Sequence, residues 1–446
     1  MRKLFAAIGD MMKPISRHRP RAYALLTIIL AALPASAEQV PFRRAIELAL
    51  KRSGAVAIGF ADQSRSYQAY REQRGAFVPN VSLGSDLGYS FGAPQQLLVG
   101  TAPSLFNITT QSMVLNFAQR DVIRAARVEW NSTNLALEDK RNAVILDAAI
   151  AYTELDNLVS RLKVLREIET AAQKAQFITQ ERVREGVDSQ LDLSRAKLVV
   201  ARAQMRVAEA EGNVDVLRDR LSKLTGIAAA QFETMPETVP QVPDVPQDVE
   251  AVEKALANNP AVKVAEQRVH SAELRARAEH RRLLPSIDLA TQYSVLARYE
   301  NYDEFYTTFK RNNYLFGATM RFPIFNLAQR ARAEQADAET LRVTRETENV
   351  KDQISADTLK LQRSLRQLAA AREVARLEYE ISQAGIDEVQ AKIESGRANS
   401  RDLQQARIDV NDKYAAYLDR SLDLYKAQLQ LMRSTGDIQQ WALEQN

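Results

Sequence analysis

The chain has 446 residues, 26% of them charged, and a formal net charge of +4 from 60 Lys and Arg against 56 Asp and Glu. It has no cysteine, which excludes a disulfide scaffold, a thiolate metal site and a lipid-modified N-terminal cysteine. Six of the basic residues (Arg2, Lys3, Lys13, Arg17, Arg19, Arg21) and one acid, Asp10, precede Ala22; 60 − 6 and 56 − 1 leave 54 basic and 55 acidic residues, so nothing suggests nucleic-acid binding.

Residues 1–37 read as a secretory signal: a basic start, an apolar run from Ala22 to Leu33, and the small-residue site Ala35-Ser36-Ala37. The run, about 12 residues, is too short for an ordinary spanning helix. No later stretch approaches 18 consecutive apolar residues. The exported chain is therefore expected either to be soluble outside the inner membrane or to cross a membrane as a β-barrel.

Beyond the signal, the sequence is one unit written twice. Ala45-Ile46-Glu47-Leu48-Ala49-Leu50 matches Ala251-Val252-Glu253-Lys254-Ala255-Leu256, and Pro79 to Leu83 matches Pro285 to Leu289. Asn116-Phe117-Ala118-Gln119-Arg120 matches Asn326-Leu327-Ala328-Gln329-Arg330, Gly186 matches Gly396, and Thr225-Gly226 matches Thr435-Gly436. The offset changes from 206 to 210 between Leu289 and Asn326, as an insertion in a surface loop would change it.

Each unit, 38–227 and 249–438, reads helix, strand hairpin, long helix, tip, helix. The first helix runs from Phe42 to Gly75 in one copy and from Val249 to Leu284 in the other, each stopping before a proline. In the hairpins, expected at 80–116 and 286–325, Val81, Leu83, Leu87, Tyr89 and Phe91 alternate with Ser82, Gly84, Asp86, Gly88 and Ser90. Ile287, Leu289, Tyr293 and Val295 alternate with polar or small residues, as do Tyr314, Phe316, Ala318, Met320 and Phe322; Phe106 to Asn116 is less regular. Strands of about 10 residues fit an outer membrane, and aromatics at their ends suit its interfaces.

The long helices come next. Leu155, Leu158, Leu162 and Leu165 have the spacing of a coiled-coil seam, continued after the tip by Val207, Ala210, Val214, Leu217, Leu221 and Leu224. The helix before each tip has about 68 residues, or roughly 100 Å, and the two shorter helices of a unit sum to nearly that length. The first tip is Glu185-Gly186-Val187-Asp188-Ser189, with Gly186 as a helix stop and Ser189 with Asp192 as a capping box. The second is Ser395-Gly396-Arg397-Ala398-Asn399-Ser400. Residues 228–248, with Pro236, Pro240, Pro243 and Pro246, read as an extended linker, and 439–446 as a tail.

Four strands cannot close a barrel, and an open edge cannot sit in lipid. The sheet must then close against other copies of the chain. In the order of elements, the duplication, the leader and the paired glycine tips, the sequence from Phe42 to Ile438 resembles the TolC-type outer-membrane efflux proteins. The resemblance implies a homotrimer with a 12-stranded outer-membrane β-barrel continuous with a periplasmic α-helical tunnel. It further implies an exit duct joined to an inner-membrane transporter, proton-driven or ATP-driven, through a periplasmic adaptor protein.

By the same resemblance, Gly186, Val187, Asp188 and Ser189, with Gly396, Arg397, Ala398, Asn399 and Ser400, form the periplasmic mouth and dock the adaptor. Asp192 and Asp402 take the positions of lumen-facing carboxylates at the constriction. A carboxylate at the third helical position also offsets the helix dipole. Gln405, Ile393 and Ala398 depart from residues common in the family, so Arg397 or Arg401 is expected to pair with a tip carboxylate instead, within the chain or across subunits. The alternative reading is a periplasmic coiled-coil adaptor without a barrel. His270 and His280, ten residues apart, do not make a metal pair, no catalytic motif is present, and neither an enzyme nor a cofactor is expected.

Overall fold

The computed structural model describes residues 38–85, 104–243, 248–296, 312–398 and 400–443. The signal sequence, the expected strand positions Leu87, Tyr89 and Phe91, the tip residue Asn399 and the last three residues lie outside them. Two helices of 68 residues dominate the chain, α3 (Phe117–Arg184) and α7 (Leu327–Glu394). Each is followed, after its tip, by a helix of 36 residues, α4 (Gln190–Thr225) and α8 (Ser400–Thr435). At 1.5 Å per residue the long helices reach about 100 Å.

Both long helices start in the same way. Asn116 Oδ1 accepts from Gln119 N at 3.0 Å, and Asn326 Oδ1 from Gln329 N at 2.9 Å. Gln119 Nε2 then donates to the carbonyl and side chain of Gln73, while Gln329 Nε2 donates to the carbonyl and carboxylate of Glu279. The matching caps and cross-links fix where each strand hairpin joins its rod.

The helix leading into each hairpin differs from the sequence expectation, because it is broken. In the first unit α1 (Phe42–Arg52) and α2 (Gly54–Gly75) are separated by Ser53, whose extended backbone ends one helix while its hydroxyl accepts from Val56 N. In the second, α5 (Asp248–Asn258) and α6 (Pro260–Arg281) are separated by Asn259, which caps Ala261 N; Pro260 adds a preset first turn. Helical periodicity runs through both breaks and hides them.

α2 lies along the first half of α3, with Asp62 bridged to Lys140 at 3.1 Å, and α4 lies along the second half, with Arg166 bridged to Glu211 at 2.7 Å. The expected end-to-end stacking beside the long rod is therefore present, with α1 wedged at the junction. There Phe42, Ile46, Tyr152, Leu155 and Leu221 form the most completely buried part of the core. The predicted seam sits as its spacing requires: Leu155, Leu162, Val207, Val214 and Leu221 are buried, and Leu158, Leu165 and Leu224 pack on them.

The linker is more ordered than an extended one. Its β4 (Phe232–Thr234) pairs in parallel with β1 (Glu38–Val40), so two short strands exist beyond the four expected. Tyr152 holds this pair to the rod. Its hydroxyl donates to Val40 O at 2.7 Å and accepts from Met235 N at 2.6 Å, and its ring meets Phe42 edge-on at 5.4 Å. The tail also folds: α9 (Ile438–Leu443) brings Trp441 to 5.5 Å from the Phe42 ring.

Nearby, Thr234 Oγ1 donates to Asp156 Oδ1 at 3.2 Å, and burial raises the Asp156 carboxyl above its ordinary value despite that bond. A raised carboxyl binds its proton more tightly in the fold, so its stabilising contribution exists at acid pH and is lost as pH rises through the raised value. Asp156→Asn keeps an acceptor for Thr234. The variant is expected to unfold at a higher temperature than the parent at pH 7, and the advantage should vanish below about pH 4.

The remaining strands make one antiparallel sheet in the order β2 (Asn80–Gly84), β3 (Ser104–Leu115), β5 (Ser286–Leu296), β6 (Asn312–Arg321). Thr110 pairs with Val81 and with Thr291, and Thr291 with Phe316, so all four register on one line. Cross-strand partners share a face. One face therefore collects Val81, Leu83, Phe106, Ile108, Ile287, Leu289, Tyr293, Val295, Tyr314, Phe316 and Met320, with Thr110, Ser112 and Thr291 among them. The other collects Ser82, Gly84, Asn107, Thr109, Gln111, Asp288, Gln292, Ser294 and Thr319, with Met113 and Leu315 as its large apolar members. The irregularity of the third segment has a cause: β3 carries register shifts at both ends, between Ser104 and Phe106 and between Met113 and Leu115.

Candidate functional site

The two ends of the rods carry the features that bear on function: an amphipathic sheet at one and two helical tips at the other. The sheet is open. β2 and β6 are its edges, and neither has a second strand partner among the described residues. Its apolar face is bare: Leu83 is 69% and Phe316 77% exposed. Among the described residues no helix is long and apolar enough to cross a membrane.

The tips are built alike. α3 closes with Gly186 at φ +76°, where Gly186 N donates to Val183 O and Val187 N donates to Arg182 O at 2.9 Å. α7 closes with Gly396 at φ +70°, where Gly396 N donates to Ile393 O and Arg397 N donates to Lys392 O at 2.7 Å. This is the glycine-terminated helix stop with a six-to-one hydrogen bond. A Cβ would meet open space at either glycine, so positive φ and not crowding is what selects it.

α4 begins with the capping box expected from the sequence. Ser189 Oγ accepts from Asp192 N at 3.2 Å, Ser189 N donates to Asp192 Oδ2 at 3.3 Å, and Ser189 Oγ donates to the same oxygen at 2.6 Å. Asp192 also faces Arg195 at 3.7 Å. Its carboxylate is thus turned back onto the helix start in the single chain. Asp402 occupies the matching first turn of α8.

The tips differ in one respect that sequence reasoning missed. In the first, Arg182 reaches across the turn and grips both oxygens of Asp188, at 2.9 and 3.1 Å. Charge-assisted donation to that carboxylate pushes the Arg182 guanidinium above its ordinary value. In the second tip the equivalent positions are Lys392 and Ala398, and Lys392 turns back along its own helix to Glu388 at 2.5 Å. The only available signal was an Arg and an Asp six residues apart across a glycine turn. Arg397, one of the two arginines expected to pair with a tip carboxylate within the chain or across subunits, is exposed and has no ion pair within the chain among the described residues. The side chains of Ser400 and Arg401 lie outside them.

Gly186→Ala is expected to loosen the first tip by about 1–2 kcal/mol through the left-handed backbone, and Ser189→Ala by about 1 kcal/mol through the lost cap. Faster amide hydrogen exchange over residues 183–193, with α3 above them unchanged, is the readout.

Elsewhere the rods are laced by ion pairs. Buried Asp121 on α3 meets Arg281 of α6 at 2.8 Å and Arg124 at 3.2 Å, tying the two units together. His270 faces Glu273 at 3.5 Å and His280 faces Asp337 at 2.9 Å. Arg206 of α4 bridges Asp412 of α8 at 2.9 Å, joining the two helical hairpins partway along their shorter helices.

A duplicated rod with an amphipathic open sheet at one end defines a class: outer-membrane channels of the efflux type. The chain belongs to the outer membrane efflux protein family, whose model matches residues 45–227 and 251–437. Among curated relatives it is similar to the protein CyaE of Bordetella pertussis, 25% identical over 418 residues covering 88% of this chain and 85% of that one. It is also similar to the cobalt-zinc-cadmium resistance protein CzcC of Cupriavidus metallidurans, 25% identical over 279 residues, 60% of this chain and 61% of that one. In fold it is similar to the outer membrane protein VceC of Vibrio cholerae, with a TM-score of 0.72 at 15% identity over 89% of this chain and 96% of that one. It is an outer-membrane protein of the efflux and secretion channel type.

Proposed function

We propose that the chain is the exit duct of a three-component export system, assembled as a homotrimer. Three copies give twelve strands, enough to enclose a lumen, and twelve long helical segments below it. The observation that carries this reading is the sheet: one face mainly apolar, one face mainly small and polar, and neither edge strand paired a second time among the described residues. Unpaired backbone groups cost several kcal/mol each in lipid, so the apolar face can meet the membrane only when the edges are paired. The duct conducts passively what an inner-membrane transporter delivers, and it contributes no catalysis and no cofactor.

In this reading the tips form the periplasmic mouth and receive a periplasmic adaptor. The residues that meet it are Gly186, Val187, Asp188 and Ser189, together with Gly396, Arg397, Ala398, Asn399 and Ser400. Asp192, Arg401 and Asp402 set the constriction, where a ring of carboxylates would favour cations. Asp192→Ala and Asp402→Ala are expected to weaken cation preference in single-channel recordings, and Arg401→Ala to change conductance. Unchanged conductance and selectivity in all three would sink the assignment of the constriction. A photo-reactive residue at Val187 or Arg397 should capture the adaptor in cells, whereas one at Tyr67, far up the rod, should not.

A further inference from the structure

Below the Tyr152 junction, one side of α3 carries a stripe that neither the fold nor the proposed duct accounts for. Lys163, Thr170 and Phe177 follow Tyr152 by 11 (163 − 152), 18 (170 − 152) and 25 (177 − 152) residues, close to whole turns of a helix. They lie on the face of α3 that holds Tyr152, beneath α1 and the β1–β4 pair, with Arg166 and Lys174 flanking them. In the proposed duct this is the outer face, because a layer of helix and strand on the inner side would fill the tunnel. That outward placement rests on the duct reading; the stripe itself does not.

The stripe borders a groove of about 650 Å³ between α3, α4 and α8. Among the described residues five cations line it, Lys163, Arg166 and Lys174 of α3, Arg218 of α4 and Arg407 of α8, against one acid, Glu167. Arg166 is bridged to Glu211, but the other four have no ion pair among the described residues. Arg218 Nε is buried without a hydrogen-bond partner among them. A buried donor left unpaired is costly, so it favours an acceptor brought into the groove. Phe177, at the lower end of the stripe, is 64% exposed. The second unit shows that the fold does not require this chemistry. With the repeat offset of 210 (396 − 186), Lys163, Thr170 and Phe177 correspond to Glu373, Glu380 and Asp387, and Lys174 and Arg218 to Ala384 and Gln428. Arg166 corresponds to Arg376, which meets Glu373 at 2.6 Å and also pairs with Glu380. The same helical positions are acidic and neutralised along their own helix in one unit, cationic and aromatic in the other.

We propose that the groove and stripe bind an acidic glycan, a chain of sugar rings carrying carboxylates. The α3 cations from Lys163 to Lys174 span about 16 Å of helix, too far for one phosphate or carboxylate and suited to a polymer that repeats its charge. Arginine and lysine make their strong, charge-assisted hydrogen bonds to carboxylates. The Thr170 hydroxyl donates to Arg166 O and keeps its lone pairs for sugar hydroxyls. The bare ring of Phe177 suits the C–H face of a sugar, whereas a polyacidic peptide would use the cations alone. The carboxylate-bearing glycan of a bacterial cell wall is such a polymer, and a rod reaching about 100 Å below an outer membrane passes it.

Co-sedimentation of the purified protein in detergent with isolated cell-wall sacculi tests this. The substitutions are taken from the second unit, whose helix carries them at the same positions. Lys163→Glu combined with Lys174→Ala should lower the affinity for sacculi about tenfold. Phe177→Asp should lower it several-fold, and Asp387→Ala, at the matching place in the second unit, should bind as the parent does. Sacculi whose carboxylates have been amidated should bind weakly. A parent protein that does not sediment with sacculi overturns the proposal. So does equal binding by the parent and the double variant when both keep the same helical circular dichroism. Polyglutamate that displaces sacculi, with Phe177→Asp binding as well as the parent, overturns the glycan and assigns the groove to an acidic polypeptide. Sacculus binding through these residues by a protein that gives no conductance steps would remove the duct reading and keep the groove.

Discussion

Phe316→Arg should remove the protein from the outer membrane. Phe316 stands at the middle of β6 on the apolar face, opposite Thr291, and is 77% exposed in the single chain. An arginine at the midplane of a lipid-facing barrel surface costs about 2–4 kcal/mol, and a homotrimer bears that cost in each copy. Its neighbour offers the control. Leu315 is also exposed, yet it points to the opposite face, opposite Gln292. Leu315→Arg places the same charge on the surface that faces water in the proposed duct. The expected result is an SDS-resistant, heat-sensitive oligomer in the outer membrane for Leu315→Arg and its loss for Phe316→Arg. Equal recovery of both would mean that the apolar face does not meet lipid.

Tyr152→Ala should cost more than any other single truncation in the helical body, about 3–5 kcal/mol as a fully buried aromatic. Tyr152 fills the junction where α1, α3, the β1–β4 pair and the tail converge, against Phe42 and Phe232. Tyr152→Phe separates packing from polarity. It keeps the ring and leaves Met235 N without its partner, a loss of about 1–3 kcal/mol. Thermal unfolding of the solubilised protein, followed by far-ultraviolet circular dichroism, should rank parent above Tyr152→Phe above Tyr152→Ala. A Tyr152→Ala variant as stable as the parent would show that the rods hold together without this junction.

Much of this architecture is legible in the sequence because its signals are long or duplicated. The Leu155 to Leu165 spacing extends over three turns, and the glycine tips recur with the same offset as the asparagine caps. Strand alternation exposes the two faces of the sheet in three of its four strands. It fades in β3, where register shifts at both ends break the period. The features that stayed hidden are short or single. Ser53 and Asn259 interrupt helices whose periodicity continues past them. Three-residue strands such as Phe232–Thr234 have no period to detect, and the prolines around them suggest a featureless linker. The tail is too short to show a face until Trp441 meets Phe42.

The tips show how a site can be found while its bonding is not. Their positions follow from Gly186 and Gly396, but the Arg182–Asp188 clamp depends on a side chain reaching back across a turn. Because Ser189 and Asp192 cap α4, any conductance change on replacing them has to be set against the loss of the helix start. Hydrogen exchange at the tip separates the two effects.

In the proposed function the open, amphipathic four-stranded sheet closes by self-association into a membrane-spanning duct. Planar-bilayer recording of the purified, natively sized oligomer tests this most directly. The expected result is discrete conductance steps with a preference for cations. Protein that is trimeric in detergent, inserts into the bilayer and yet gives no steps would contradict it.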